Sequence, residues 1–283
     1  MKNVCIIGTG LIGGSFALGI KKLYPNCKII GIDSNPDHAQ MAVEINLVDE
    51  AGSYEAIKDA DLVVVAIPVD ATVNELPKVL DAVSDDGLVI DVGSTKYDIC
   101  KIVEDHPKRR NFLAAHPIAG TEFSGPRAAI PTLFEGKTNI ICEVEKTAFK
   151  LQERALKLFN EMGMRIRYMH PAPHDKHIAF VSHLSHISSF MLGKTVIDEE
   201  KNEKDIFDMA GSGFASTVRL AKSSPEMWTP IFKQNRENII GTLDAYIKNL
   251  QHFMDLMESD KYEDVYLEMK NTNRIKDILN GIT

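Results

Sequence analysis

The chain has 283 residues, 44% of them hydrophobic and 25% charged, with a formal net charge of −8. These values fit a soluble globular protein of one large or two medium domains. They argue against nucleic acid as the main partner, because no basic block interleaved with aromatics occurs. No apolar run reaches the ~20 residues of a membrane span. The first residues read as a strand and not as a signal peptide. Four scattered cysteines without C-x-x-C spacing point to a reducing, cytoplasmic setting and argue against a disulfide framework or a cysteine metal site.

The rest of the chain is organised around its opening stretch, MKNVCIIGTGLIGGSFALGI. Val4 to Ile7 is a short apolar run suited to a buried parallel strand. Gly8-Thr9-Gly10-Leu11-Ile12-Gly13 follows at once and fits G-x-G-x-x-G, with a helix-compatible stretch after it. In such a turn Gly8 permits the tight bend and Gly10 lets a pyrophosphate approach the backbone. Gly13 lets the helix lie close to the strand. Leu11 and Ile12 open the helix, whose N-terminal N–H groups and dipole favour phosphate. A second strand, Lys28 to Ile32, ends at Asp33, twenty residues past Gly13. An acid there accepts hydrogen bonds from the adenosine ribose hydroxyls. Ser34 and Asn35 follow it with no Arg, so NAD is expected over NADP.

Asn35-Pro36 caps the next helix. Leu62 to Ile67, ended by Pro68, reads as a buried strand, and Asp70 to Val83 as a helix with a kink or boundary at Pro77. Leu88 to Val92 is a strand followed by Gly93-Ser94-Thr95-Lys96. Phe112 to Ala115 is a strand followed by His116-Pro117 and a loop containing Thr121. Asn139 to Cys142 and Met164 to Tyr168 complete the strands, with a helix between them. Alternating strands and helices predict a Rossmann-like, doubly wound parallel sheet over residues 1–169. Gly8–Gly13, Asp33, Pro68, Ser94 and His116 each follow a strand, and ligands bind at such strand ends.

Beyond Tyr168 the pattern changes. His170-Pro171-Ala172-Pro173 reads as a rigid linker, and residues 170–283 as an all-α domain. Asp175 to about Val196 is one helical stretch. Lys204 to Met209 leads to a glycine break at Gly211 and Gly213 and then to a helix over Phe214–Lys222. Ser223-Ser224-Pro225 caps another helix. Ile240, Leu243, Ile247, Leu250, Met254 and Met257 form an a/d seam, and a last helix covers Tyr262–Leu279. The seam fits either an internal core or a homodimer interface.

Several side chains stand out chemically. His116 is biased to an extended conformation by Pro117 and, beside a nicotinamide, suits the removal of a hydroxyl proton. Ser94 fits either a helix cap or a group that orients that histidine. His174, His177, His183 and His186 share helical spacing, but no H-E-x-x-H and no paired carboxylates accompany them, so no metal is expected. Arg219, flanked by apolar residues, suggests a partly buried guanidinium in need of an anion; a substrate carboxylate or a structural ion pair would supply one. Trp228 reads as a core anchor.

Together these residues resemble the prephenate dehydrogenase family, which includes cyclohexadienyl and arogenate dehydrogenases. The matching stretches are GTGLIGGS, DVGSTK at Asp91–Lys96, HPIAGTEFSG at His116–Gly125, FVSHLSH at Phe180–His186 and TVRLAKSSPEMW at Thr217–Trp228. The resemblance implies a Rossmann domain followed by a helical, homodimerising domain. It implies oxidative decarboxylation of prephenate to 4-hydroxyphenylpyruvate with NAD as acceptor, a step of tyrosine biosynthesis. His116 then matches the catalytic histidine, Ser94 the serine touching it and the ring hydroxyl, and Arg219 the carboxylate-binding arginine. His186, Ser182 and Thr121 match positions lining the substrate pocket. Two departures stand out. Ala215 and Ser216 occupy a place where many members carry a basic residue, which leaves room for arogenate. The chain also ends at Thr283 with no regulatory or chorismate mutase domain. A competing reading is a β-hydroxyacid or imine dehydrogenase centred on Lys194.

Overall fold

The structure, a computed structural model, describes residues 1–203 and 205–280. The backbone groups into two compact units, Met1–Arg236 and Glu237–Thr283. In the first, eight strands form one sheet: β1 (Asn3–Ile7), β2 (Lys28–Ile32), β3 (Glu50–Ala51), β4 (Leu62–Val65), β5 (Leu88–Asp91), β6 (Phe112–Pro117), β7 (Thr138–Cys142) and β8 (Arg165–Met169). Their order is β3-β2-β1-β4-β5-β6-β7-β8. The order reverses between β1 and β4, which opens the crevice where doubly wound sheets bind ligands.

The strands are apolar on both faces because helices cover both. Val4, Ile6, Val64, Ile90 and Leu113 face one buried cluster, packed by α1 (Leu11–Leu23). Cys5, Ile7, Val63, Val65 and Val89 face the other, where α2 (Pro36–Glu44) takes no part and α3 (Val69–Ala82) supplies Leu76, Val79 and Leu80. Asn35 caps α2 as expected, its Oδ1 accepting the Asp37 N–H at 3.0 Å. Pro77 lies inside α3 and does not end it.

One pairing departs from the all-parallel expectation. β7 runs antiparallel to β6, with His116 opposite Ile140 and Pro117 opposite Asn139. A parallel return needs a crossover, usually a helix. Between these strands there is only loop and a short 3-10 turn at Pro126–Ala128.

The remaining helices of the first unit are α4 (Tyr97–Ile102), α5 (Phe149–Glu161), α6 (Pro171–Ile178), α7 (Leu184–Glu200), α8 (Ser212–Thr217) and α9 (Pro225–Gln234). The supposed linker at His170–Pro173 is the start of α6. Pro171 sits in its first turn, where a missing N–H costs nothing. A π-turn at Ala179–His183 joins α6 to α7. The expected helix over Phe214–Lys222 is divided into α8 and a 3-10 turn at Arg219–Lys222. Lys204, where one expected segment begins, lies outside the described residues. Ser224 caps α9 by accepting the Met227 N–H at 3.3 Å.

The second unit continues α10 (Arg236–Glu258) and adds α11 (Tyr262–Thr272) and α12 (Ile275–Asn280). Ile240, Ile247, Leu250, Met254 and Met257, five members of the a/d seam, are about half exposed. No helix among the described residues is long and apolar enough to cross a membrane.

Candidate active site

The glycine turn has the geometry of a phosphate cradle. Gly8 adopts φ +89°, and a Cβ there would overlap the Ala66 carbonyl. A Cβ on Gly13 would overlap the Gly8 carbonyl. A Cβ on Gly10 would meet only the Gly125 N, at 4.0 Å. Two glycines are therefore required by the protein's own packing, whereas the third keeps open space beside the backbone. The first turn of α1 has no side-chain cap and no acidic residue, so its N–H groups are available to an anion. Leu11 and Ile12 anchor that turn by packing on the core. Asp33 ties the turn to β2: its Oδ2 accepts both the N–H and the hydroxyl of Thr9 at 2.9 Å. Pro68 stands at the N-terminus of α3. These features fit a dinucleotide.

On the far side of the switch point β6 delivers His116 to the sheet edge. Its ring is buried, and Nδ1 lies 2.8 Å from Nε2 of His174 on α6. Nδ1 of His174 lies 2.7 Å from Asp175 Oδ1. Asp175 also accepts the N–H groups of Lys96 and Tyr97, at 2.8 and 2.9 Å. A carboxylate that takes these donors also takes a proton-bearing Nδ1 from His174. His174 Nε2 is then the acceptor, so His116 donates from Nδ1, and its Nε2 is the bare, basic nitrogen. Burial first, then the neighbouring His174 and Lys96, holds the His116 imidazole well below the ordinary histidine range. It stays neutral, and able to accept a proton, into acid pH.

Lys96 is fully buried. Its ammonium pairs with Asp91 at the end of β5 and donates to the Ala115 carbonyl at 2.9 Å. It thereby fixes the β6 end that carries His116. Ser94 is part-buried in the same loop, but the bond that orients His116 comes from His174.

Below the π-turn lies a second group of rings. His183 Nδ1 is 3.1 Å from Asn235 Nδ2, which also donates to the Asp175 carbonyl at 2.7 Å. His186 is stacked on Trp228 with centroids 3.5 Å apart, and His183 meets the same indole edge-on. His186 donates through Nδ1 to the Ser182 carbonyl at 3.0 Å. Arg219 was expected to be partly buried; its side chain is 52% exposed and pairs with Glu122 at 3.3 Å. The short 3-10 turn that carries it leaves the guanidinium at the surface. Glu122 belongs to the loop leaving His116, in which Thr121 accepts the Phe123 N–H at 3.2 Å. His177 is exposed; His174 uses both ring nitrogens within the protein, and His183 and His186 use Nδ1. Lys194 is exposed and paired with Asp198.

Comparison with known proteins fits this geometry. Residues 16–168 match a family profile described as the nucleotide-binding domain of prephenate dehydrogenase, and residues 170–271 one described as its dimerization domain. The chain belongs to the prephenate dehydrogenase family. Among family members, the prephenate dehydrogenase of Bacillus subtilis is 31% identical over 279 residues, covering 97% of this chain and 75% of the relative. Prephenate dehydrogenase from Aquifex aeolicus, solved with hydroxyphenyl propionate and NAD+, is 33% identical with a TM-score of 0.84 and 98% of each chain covered. Synechocystis arogenate dehydrogenase is 26% identical with a TM-score of 0.79, covering 98% of this chain and 99% of the other.

Family membership and spacing alone do not yield the relay. His174 appears in the sequence only as one of four histidines, Asp91 and Lys96 only as the ends of the DVGSTK stretch, and Asp175 and Asn235 as ordinary polar residues. One signal was present: a His-Asp pair at the start of an otherwise amphipathic helix.

His183 provides a test of how this interior is built. Burial pushes its imidazole down to about 4. Between an unfolded value near 6.5 and this folded value, the unfolded chain binds more protons, so stability is full above pH ~6.5 and falls as pH drops. The expected loss from this one group is about 2–3 kcal/mol at pH 4.5. Urea denaturation at pH 7 and 4.5 checks it: the wild-type protein should lose more than His183→Gln by that amount, and equal losses would refute the assignment.

Proposed function

We propose that the protein is an NAD-dependent dehydrogenase that converts prephenate to 4-hydroxyphenylpyruvate with loss of carbon dioxide. The observation that carries the reading is the buried His116–His174–Asp175 chain at a strand end across the switch point from the glycine turn. When bound, oxidised nicotinamide supplies the hydride acceptor. His116 Nε2 accepts a hydrogen bond from the ring hydroxyl and takes up positive charge as hydride departs from the same carbon. Loss of carbon dioxide restores aromaticity, so the drive is intrinsic to the substrate. The protein's part is orientation, which is worth up to roughly 7–11 kcal/mol in favourable cases.

Arg219 is the guanidinium for the ring carboxylate. Its present partner, Glu122, is an exchangeable surface contact, and a bidentate carboxylate is the stronger partner. Ser94, Ser182, His186 and Thr121 line the same site in this reading. The half-exposed seam of α10 is the homodimer face. Four unpaired, buried cysteines suit the cytoplasm. Arogenate is the second candidate substrate, favoured by the uncharged Ala215 and Ser216 on α8.

NADH formation with prephenate and arogenate side by side tests the reading; no turnover of either would end it. Arg219→Gln should raise KM for the preferred substrate by about tenfold, or ~1.4 kcal/mol, with little change in kcat. An unchanged KM removes Arg219 from the carboxylate role.

A further inference from the structure

Helix α9 packs on α3 through Trp228 and Ile231, which are buried in one apolar cluster with Leu76 and Val79. Gln234 comes three residues after Ile231, one turn on and on the same face of the helix. An apolar residue there would continue the stripe. Gln234 is instead a part-buried amide with both polar ends engaged. Its Nε2 donates to the Val69 carbonyl, in the first turn of α3, at 2.8 Å. Its Oε1 accepts the hydroxyl of Thr95, a buried residue. The amide cannot be turned over, because the Val69 carbonyl only accepts and so must face Nε2. Oε1 is left to Thr95, whose hydroxyl then has to donate.

The two loops that Gln234 joins both lie at strand ends. The loop from β4 to α3, which carries Pro68, abuts the glycine turn: Ala66 N donates to the Ile7 carbonyl at 2.7 Å, and the Ala66 carbonyl leaves no room for a Cβ on Gly8. Thr95 adjoins Ser94 in the loop from β5 to α4. That loop is held at Gly93 N by Asp91 and at Lys96 N by Asp175, each at 2.8 Å. Gln234 adds a third tie, at the residue directly after Ser94. A Cβ on Gly93 would stand 3.1 Å from Val69 Cγ1, so the two loops lie against each other where the amide spans them.

We propose that Gln234 is a positioning residue for hydride transfer, clamping the Pro68 loop to the Ser94 loop and so fixing the separation of cofactor and substrate. The proposal rests on the dehydrogenase reading above, in which Ser94 lies at the ring hydroxyl and Pro68 on the cofactor side. Gln234 meets neither reactant in that reading and acts through Val69 and Thr95. Cutting the clamp leaves each loop its own contacts to its own ligand, so binding holds. What changes is the distance between the reacting atoms, and a misplacement of about 1 Å can cost roughly 10²-fold in rate.

Steady-state kinetics of the full-length protein with NAD+ and its preferred substrate test this, using wild type, Gln234→Met, Thr95→Val and the double variant. Gln234→Met keeps the side-chain length and loses both bonds. Thr95→Val removes the hydroxyl and leaves Gln234 on Val69; it carries the test alone if Gln234→Met does not fold. In variants that circular dichroism shows to be folded at the assay temperature, each single change should lower kcat by about tenfold, with KM for NAD+ and for substrate within about threefold. The double variant should be no more than about threefold slower than the slower single, because both changes cut one tie. A residue serving only the fold would leave kcat of the folded protein unchanged. A kcat within threefold of wild type in either single variant would overturn the proposal, as would a loss that appears in KM instead, or a double variant slowed by the product of the two single losses. Failure of wild type to turn over prephenate or arogenate would instead remove the dehydrogenase reading itself.

Discussion

Asp175→Asn is expected to lower kcat by about 10²–10⁴ while leaving KM within a few-fold, a loss of ~3–5.5 kcal/mol of transition-state stabilisation. Asp175 touches no substrate in the proposed mechanism, so the loss would arise through the relay. The carboxylate accepts from His174 Nδ1, from Lys96 N and from Tyr97 N. An amide has one accepting oxygen for three donors. His174 Nδ1 and Lys96 N share Oδ1 and Tyr97 N takes Oδ2; with the amide oxygen kept at Oδ2 for Tyr97, the NH2 group stands at Oδ1 and forces His174 Nδ1 to accept. His174 then carries its proton on Nε2 and donates to His116 Nδ1, and His116 is left with its proton on Nε2, the nitrogen that should be bare. Steady-state kinetics give the kcat and KM split. Nitrogen-15 spectra of the His116 ring give the tautomer, Nδ1–H in wild type and Nε2–H in the variant. A kcat within threefold of wild type, in a variant whose circular dichroism is unchanged, would show that the relay does not set the proton.

The parts of this arrangement that could be read in advance were those written in local pattern. β-Branched runs such as Leu-Val-Val-Val at Leu62–Val65 marked strands, because only a strand covered on both faces tolerates them. The spacing from Gly13 to Asp33 marked the end of β2. His116 was legible because Pro117 follows it at a strand end. What stayed hidden depends on distant pairing. His116 and His174 are 58 residues apart, and no local pattern says that α6 turns His174 inward and His177 outward. The π-turn at Ala179–His183 shifts the helix phase, so a 3.6-residue wheel drawn through it misplaces the residues beyond. The antiparallel β7 was hidden because its short apolar run has the same composition in either direction. The prolines at 171 and 173 looked like a linker because Pro marks both breaks and first turns, and only the following residues decide between them.

Lys96 is the residue whose loss should matter most for stability. A lysine that is fully buried is tolerable only with a partner, and Asp91, equally buried, is that partner. Lys96→Met keeps the stem and removes the charge, leaving a carboxylate in the interior beneath the sheet edge with the Gly93 N–H at 2.8 Å as its remaining hydrogen bond. Breaking one half of such a pair costs about 3–5 kcal/mol. Against a typical total of 5–15 kcal/mol, that is a large fraction of the fold's stability. Urea denaturation at pH 7 measures it. The double variant Lys96→Met/Asp91→Asn removes both charges, keeps an acceptor for Gly93 N–H, and should recover most of the loss, because the cost lies in the stranded charge and not in the missing attraction. Its activity should remain below wild type, since the Ala115 carbonyl, one residue before His116, has lost the donor that held it. Two results would contradict this account: a single variant that costs less than about 1 kcal/mol, the value of a solvated surface pair, or a double variant no more stable than the single one.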